Sequence, residues 1–250
     1  MKNLDMGRVR AVVRKELMEY RRKRSIVVTM LVVPVIFLIE PVVIIFVAPL
    51  TGSSATLEKS VMVPILYLLL IAVIAPSTLA AYSVVGEREQ GTLEPLLTTP
   101  LRQQEFVLGK AAAMMIPSVA IAYAVYAVFL SCAALFAHRD IADAIFHDGP
   151  TLLTLFLFTP LVAGLAVVVG MAVSVRASEV RVAQQLGTLA TFPVIGVIIL
   201  FIGGVIHPTF AAAIEFALGL LVIDALALRL VSRLFNRERL VAGAKASRQD

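Results

Sequence analysis

GEREQGTLEPLLTTPLRQQEFVLGK, residues 86–110, is the longest charged interruption in a very oily chain. It carries four acids (Glu87, Glu89, Glu94, Glu105) and three bases (Arg88, Arg102, Lys110) between apolar runs at 61–85 and 111–137. Its punctuation predicts structure. Gly86 ends the preceding run, 87–90 continues as a polar helical extension, and Gly91 breaks it. Thr92 is a good N-cap, and Glu94 and Pro95 fall in a first helical turn, where an acid complements the dipole and proline is tolerated. Leu93, Leu96 and Leu97 form an apolar i, i+3, i+4 stripe. Pro100 stops the helix, because the residue before a proline avoids the α region. Residues 103–110 then start the helix that becomes the next run. The stretch reads as a short helix held crosswise between two long ones.

The rest of the chain fixes what those long helices are. Of 250 residues, 60% are apolar and 16% charged, against about 25% charged in ordinary soluble domains. The apolar residues gather at 26–50, 61–85, 111–137, 152–175, 186–206 and 210–230. Each run can cross roughly 30 Å of hydrocarbon at about 1.5 Å per residue. Lipid satisfies no backbone groups, so spans are helices or closed barrels. Runs this long and uniform argue against barrel strands. The expected fold is therefore all-α, with six transmembrane helices in one membrane domain at 26–231. Only residues 207–209 separate the fifth and sixth runs, so a re-entrant pair is an alternative there.

Lys and Arg set the orientation. Segments 1–25, 86–110, 176–185 and 229–250 hold nine, three, two and six of the 22, and only Lys59 and Arg139 lie in the alternate loops. Both termini and the 86–110 segment are thus expected on the cytoplasmic side of the plasma (inner) membrane. The net charge of +5 is explained by this asymmetry and calls for no nucleic-acid partner. Residues 1–25 precede a run too long for a signal-peptide core, so no cleavable leader is expected. Within them Met6, Val9, Val13, Leu17 and Tyr20 share a helical face, which predicts an amphipathic helix lying in the headgroup layer, its basic end against anionic lipid. Residues 138–151 are read as the larger outside loop, 176–185 as a brief cytoplasmic loop and 232–250 as a basic cytoplasmic tail.

Catalytic patterns are missing. The fragment Gly109-Lys110-Ala111 lacks the glycine spacing and the Ser/Thr of a phosphate-binding loop, and HExxH, CxxC and G-x-S-x-G are absent. No ATPase site, enzyme activity, bound cofactor or metal is expected in this chain. The Asp143, His147, Asp148 grouping is read as solvated, and the lone Cys132 as a packing residue. Three acids interrupt the runs: Glu40, Glu215 and Asp224. Such groups are costly in lipid and usually face protein or water. Glu40, in a helix loosened by Pro34, Pro41 and Pro49, and Asp224 are candidates for lining a translocation path. For Asp224 the bland reading is a polar contact with Arg229, about one helical turn on. Glu215 can reach the headgroups.

The 86–110 stretch resembles the loop between spans two and three of membrane subunits in the ABC type-2 transporter family, near its sodium-efflux-like and multidrug-like permeases. The matching residues are Glu87, Arg88, Glu89, Gly91, Thr92, Leu93, Glu94, Leu96, Leu97, Pro100, Gly109 and Lys110. Weaker echoes are RVAQQ at 181–185 and FNRERL at 235–240. The resemblance implies a permease subunit that exports a substrate using ATP hydrolysed, with magnesium, by a separate cytoplasmic ABC ATPase. It implies a second permease, identical (a homodimer) or related. The crosswise helix is then the coupling helix. Leu93, Leu96 and Leu97 pack into the ATPase; Glu87, Arg88, Glu89 and Glu94 orient the joint, as charges at an interface favour specificity over raw affinity. Competing readings are an ion-coupled secondary transporter using Glu40 and Asp224, and a membrane anchor for a cytoplasmic partner. The few polar groups in the spans lean slightly toward amphipathic or lipid-like cargo.

Overall fold

A computed structural model describes residues 4–47, 62–83, 85–89, 102–177, 179–202, 205 and 209–234. Among these, every regular element is helical. In chain order they are α1 (Met6–Arg22), α2 (Arg24–Val47), α3 (Leu69–Tyr82), α4 (Val85–Glu89), α5 (Gln103–Phe136), α6 (Arg139–His147), α7 (Gly149–Arg176), α8 (Val180–Gly187), α9 (Thr191–Ile202) and α10 (Phe210–Leu234). A 3-10 turn, Thr188–Ala190, joins α8 to α9.

Six helical stretches are long and apolar enough to cross a membrane: Ile26–Phe46, Met62–Glu87, Gln103–Phe136, Gly149–Arg176, Val180–Phe201 and Phe210–Ser232. They match the six apolar runs in order, and their ends differ where charge misled the hydropathy reading. Gly86 does not end the second span. The helical stretch runs on to Glu87 with a turn at Ser83, and Gly86 lies inside α4. The brief loop expected at 176–185 is mostly helix α8. Its buried Ala183 joins Val85 and Ala177 in a small apolar cluster, so its polar residues mark an amphipathic helix. The outside loop expected at 138–151 is likewise mostly helix: α6 buries Ile141 and Ile145 and turns its charges away. α2 runs on through Pro34 and Pro41.

The spans differ sharply in position. The second is 78% buried within the chain, the sixth only 11%. Lipid tails are as apolar as leucine, so packing between spans rests on close fit and small residues. α3 packs mainly on α7, and the contact is made by small groups: a Cβ built on Gly170 of α7 would run into the Cβ of Ala80 of α3. Deeper in the bundle the helix through 62–82 loosens at Leu68. Its carbonyl accepts a hydrogen bond from the buried Tyr126 hydroxyl at 3.2 Å, and that hydroxyl also meets Thr159 Oγ1 at 3.0 Å. This fixes α3, α5 and α7 to one another where a bare carbonyl in hydrocarbon is costly.

Gly170→Ala should therefore destabilise the α3–α7 crossing by about 1–3 kcal/mol. Gly219→Ala, on α10 with nothing near its Cβ position, should leave stability almost unchanged. Thermal unfolding in lipid nanodiscs distinguishes them, and equal melting temperatures would show that the crossing is not tight.

Candidate functional site: a charged joint at the base of the 90–101 loop

α1 is held by a stripe that its hydropathy hides. The packed residues are Val9, Val12 and Glu16, with Tyr20 partly buried beyond them. Met6, expected on the apolar face, is 69% exposed. The stripe lies against the start of α5, where Gly109 permits the approach. A Cβ on Gly109 would stand 2.7 Å from Val12 Cβ and Cγ1, closer than side chains tolerate. Asp5 caps α1 by accepting from the Gly7 amide at 2.9 Å.

Two carboxylates and a lysine pin the crossing. Glu105, in the first turn of α5 and fully buried, accepts from the Arg102 amide at 3.0 Å and from the Asp5 amide of the other helix at 3.1 Å. Arg8 of α1 approaches the same carboxylate at 3.6 Å. One turn further along, Lys110 is 1% exposed. Its ammonium donates to the Ser83 carbonyl at 2.7 Å and pairs with Glu87 at 2.8 Å and Glu16 at 3.3 Å. It also stands 5.2 Å from the Phe106 ring centre, within cation–π range. Lys15 bridges the same acids, at 3.1 Å to Glu16 and 3.2 Å to Glu87. Glu19 stands 3.5 Å from Lys15 at the more exposed edge of this cluster, and the Tyr20 hydroxyl donates to Glu16 at 3.4 Å.

The charges tune one another. Burial alone would raise the Glu16 carboxyl, but the ammonium of Lys110, and then that of Lys15, outweigh it and hold Glu16 below its ordinary value. Burial alone would lower the Lys15 ammonium; Glu16 and Glu87 outweigh that and raise it. Removing one member of such a cluster strands an opposite charge, which is far costlier than exposing a surface pair.

Of the expected docking residues, Glu87 turns inward to Lys110 and Lys15. Arg88 and Glu89 continue the backbone of α4. Gly91, Thr92, Leu93, Glu94, Leu96, Leu97 and Pro100 lie outside the described residues. The stems of their loop are described, and α4 is further tied to α7 by the Val85 amide donating to Ser174 Oγ at 3.2 Å. The two path candidates sit on different helix pairs. α2, which bears Glu40, packs on α5, α3 and α1, whereas α10, which bears Asp224, packs on α7 and α5. Glu40 is exposed. Asp224 Oδ1 is buried without a hydrogen-bond partner among the described residues, and Asp224 Oδ2 would stand 2.9 Å from a Cβ on Gly164. The expected contact with Arg229 does not form. Five residues rotate a helix about 140° past a full turn, which puts Arg229 on the exposed side.

Glu16, Lys15 and Glu105 escaped the sequence reading. The signal for Glu16 was present: it follows Val9 and Val12 at helical steps of three and four, so an acid continues the packed stripe.

The depressed Glu16 carboxyl gives the docking of α1 a pH dependence. The ion pairs contribute fully above the ordinary carboxylate range, about pH 4.3, and are lost as pH falls through the lower folded value. Amide exchange of α1, corrected for intrinsic rates, should stay slow from pH 7 to pH 5 and quicken below about pH 4. Glu16→Gln should already exchange faster at pH 7 and show a flatter profile. An acid profile identical in the variant would mean that Glu16 does not hold α1.

The comparison with known families agrees with this architecture. The family model described as ABC-2 type transporter matches residues 7–211, spanning α1, the charged joint and the first five candidate spans. Among curated proteins none matches. With six helices long and apolar enough to span a membrane among the described residues, and a match over most of its length, the chain belongs to the ABC-2 type transporter family as a multi-pass membrane permease component.

Proposed function

We propose that the chain is the permease subunit of an ATP-driven exporter, and that the loop at 90–101 carries the helix that docks onto a separate cytoplasmic ABC ATPase. The observation that carries this reading is the clamped base of the loop. Glu87 on one stem and Lys110 on the other are joined at 2.8 Å, in a chain of this family. A linker between spans needs no such bridge; a lever does. Leu93, Leu96 and Leu97 supply its apolar face, Arg88, Glu89 and Glu94 its orienting charges, and Gly91, Thr92 and Pro100 its limits. The ATPase brings ATP and magnesium. The 20 Lys and Arg residues in alternate segments, against two elsewhere, support cytoplasmic termini and an inner-membrane location.

Glu40 supports a second permease copy. It is exposed on α2 beside exposed Ile36, Ile39 and Val43, and a carboxylate in a span seeks protein or water in preference to lipid. A copy packed on this face shelters it and can leave it lining the path between subunits.

Two measurements test these readings. Leu97→Asp and Glu94→Lys should each lower co-purification of the ATPase by about tenfold while leaving insertion intact; unchanged recovery of the ATPase for both variants would dismiss the docking assignment. In a Cys132→Ala background, Ile39→Cys should form a disulfide-linked dimer in native membranes, whereas Leu135→Cys on the exposed end of α5 should not. A monomer in both cases places no second copy on α2.

A further inference from the structure

We infer that Lys110 is a positioning residue whose single ammonium makes α1, the base of the 90–101 loop and the third span move as one body. This rests on the docking role proposed for the loop and assigns the part that passes a push from it into the membrane.

The geometry is a convergence of separate segments on one buried nitrogen. Ser83 comes from the end of α3, Glu87 from the stem before the loop and Glu16 from α1, all within 2.7 to 3.3 Å of Lys110 Nζ. Lys110 itself stands on the stem after the loop, within the 34-residue α5 that runs on through the bundle. The two stems therefore cannot hinge apart without separating a buried ion pair. α1 cannot lift off without removing Glu16 from the same ammonium and from Lys15. Glu105, bonded to the Asp5 amide, holds the other end of α1 to the same helix, so that α1 is fixed at two points and cannot pivot. Gly109 sets the approach at which these bonds are short. This assigns physical duties to the Gly-Lys pair that opens the span: the glycine admits α1 and the lysine locks it. Packing alone would hold the elements together. The charge cluster makes the attachment directional, because ion pairs and hydrogen bonds resist sliding, which apolar contacts permit.

The test separates a transmitting role from a merely stabilising one. The permease is purified with its ATPase in phosphatidylcholine–phosphatidylglycerol nanodiscs. In a Cys132→Ala background, spin labels are placed at exposed Leu135 at the far end of α5, within the locked body, and at exposed Leu226 on α10, outside it. Wild-type complex should show a shifted inter-label distance distribution on adding ATP, magnesium and vanadate. Lys110→Met should abolish the shift while the ATPase remains bound, and should speed α1 amide exchange in the isolated permease about tenfold. Lys110→Met with Glu87→Gln removes both partners and leaves Glu16 with Lys15, so it should recover the thermal stability lost in the single variant. The shift should stay absent in that double variant. A double variant that recovers both stability and the shift overturns the inference, since the cluster would then be only structural. Unchanged α1 exchange in Lys110→Met also overturns it. If the wild-type permease fails to retain the ATPase, the docking reading falls, and the exchange measurement on the permease alone still decides whether Lys110 locks α1.

Discussion

A lysine ammonium removed from water at the end of a membrane bundle is the constraint that organises this protein. Lys110 is 1% exposed, and an ion in that position persists only if its partners replace most of its hydration. Two carboxylates and a backbone carbonyl do so, and each comes from a different part of the chain. The folding problem is thereby coupled: α1, α4 and the end of α3 must all arrive before any of them satisfies the charge. Lys15 serves the same two carboxylates, which Lys110 cannot neutralise alone, and Glu19 beside them.

Beneath this charged end, the bundle is held by a different rule. Where lipid competes equally for apolar side chains, helices choose neighbours by how closely their backbones approach and by which polar groups need partners. Gly170 against Ala80 and Gly109 against Val12 are close approaches of the first kind. The Tyr126 hydroxyl on the Leu68 carbonyl and Thr159 is of the second. The Gly170–Ala80 approach and the Tyr126 hydrogen bond put α3 at the centre. α10 packs on α7, with Phe210 close over Gly149. Its packed residues Ala213, Ala217 and Val231 are few, its outer face is exposed leucine, valine, isoleucine and phenylalanine, and Asp224 rests over Gly164 with one oxygen unmatched. Burial among the described residues is thus greatest in the second span and least in the sixth.

The 86–110 stretch also changes meaning along its length. Its outer residues, at 90–101, are the part offered to a partner in the proposed function. Its ends are internal machinery. Glu87 and Glu105 read alike in the sequence, as charges in a polar insert, yet Glu87 pairs with two lysines and Glu105 gathers amides from two helices.

What the sequence determined by itself was the membrane plan. Six spans, all-α architecture, the helix at α1 and the restart of helix at Gln103 follow from run length, from the refusal of hydrocarbon to solvate backbone, and from cap and breaker residues. These are local or one-dimensional properties. Its 86–110 stretch also carried a resemblance to the family whose model matches residues 7–211. Only the tertiary structure decided which span is central, because hydropathy ranks a helix facing lipid and one facing protein the same. Only it showed that residues 139–147 and 180–187 are helices, since polar composition hid their short apolar faces. And only it placed Glu16 inside. A carboxylate on an amphipathic helix belongs in water unless a cation waits for it, and the cation, Lys110, lies in a distant part of the chain, brought there by the packing of α1 on Gly109.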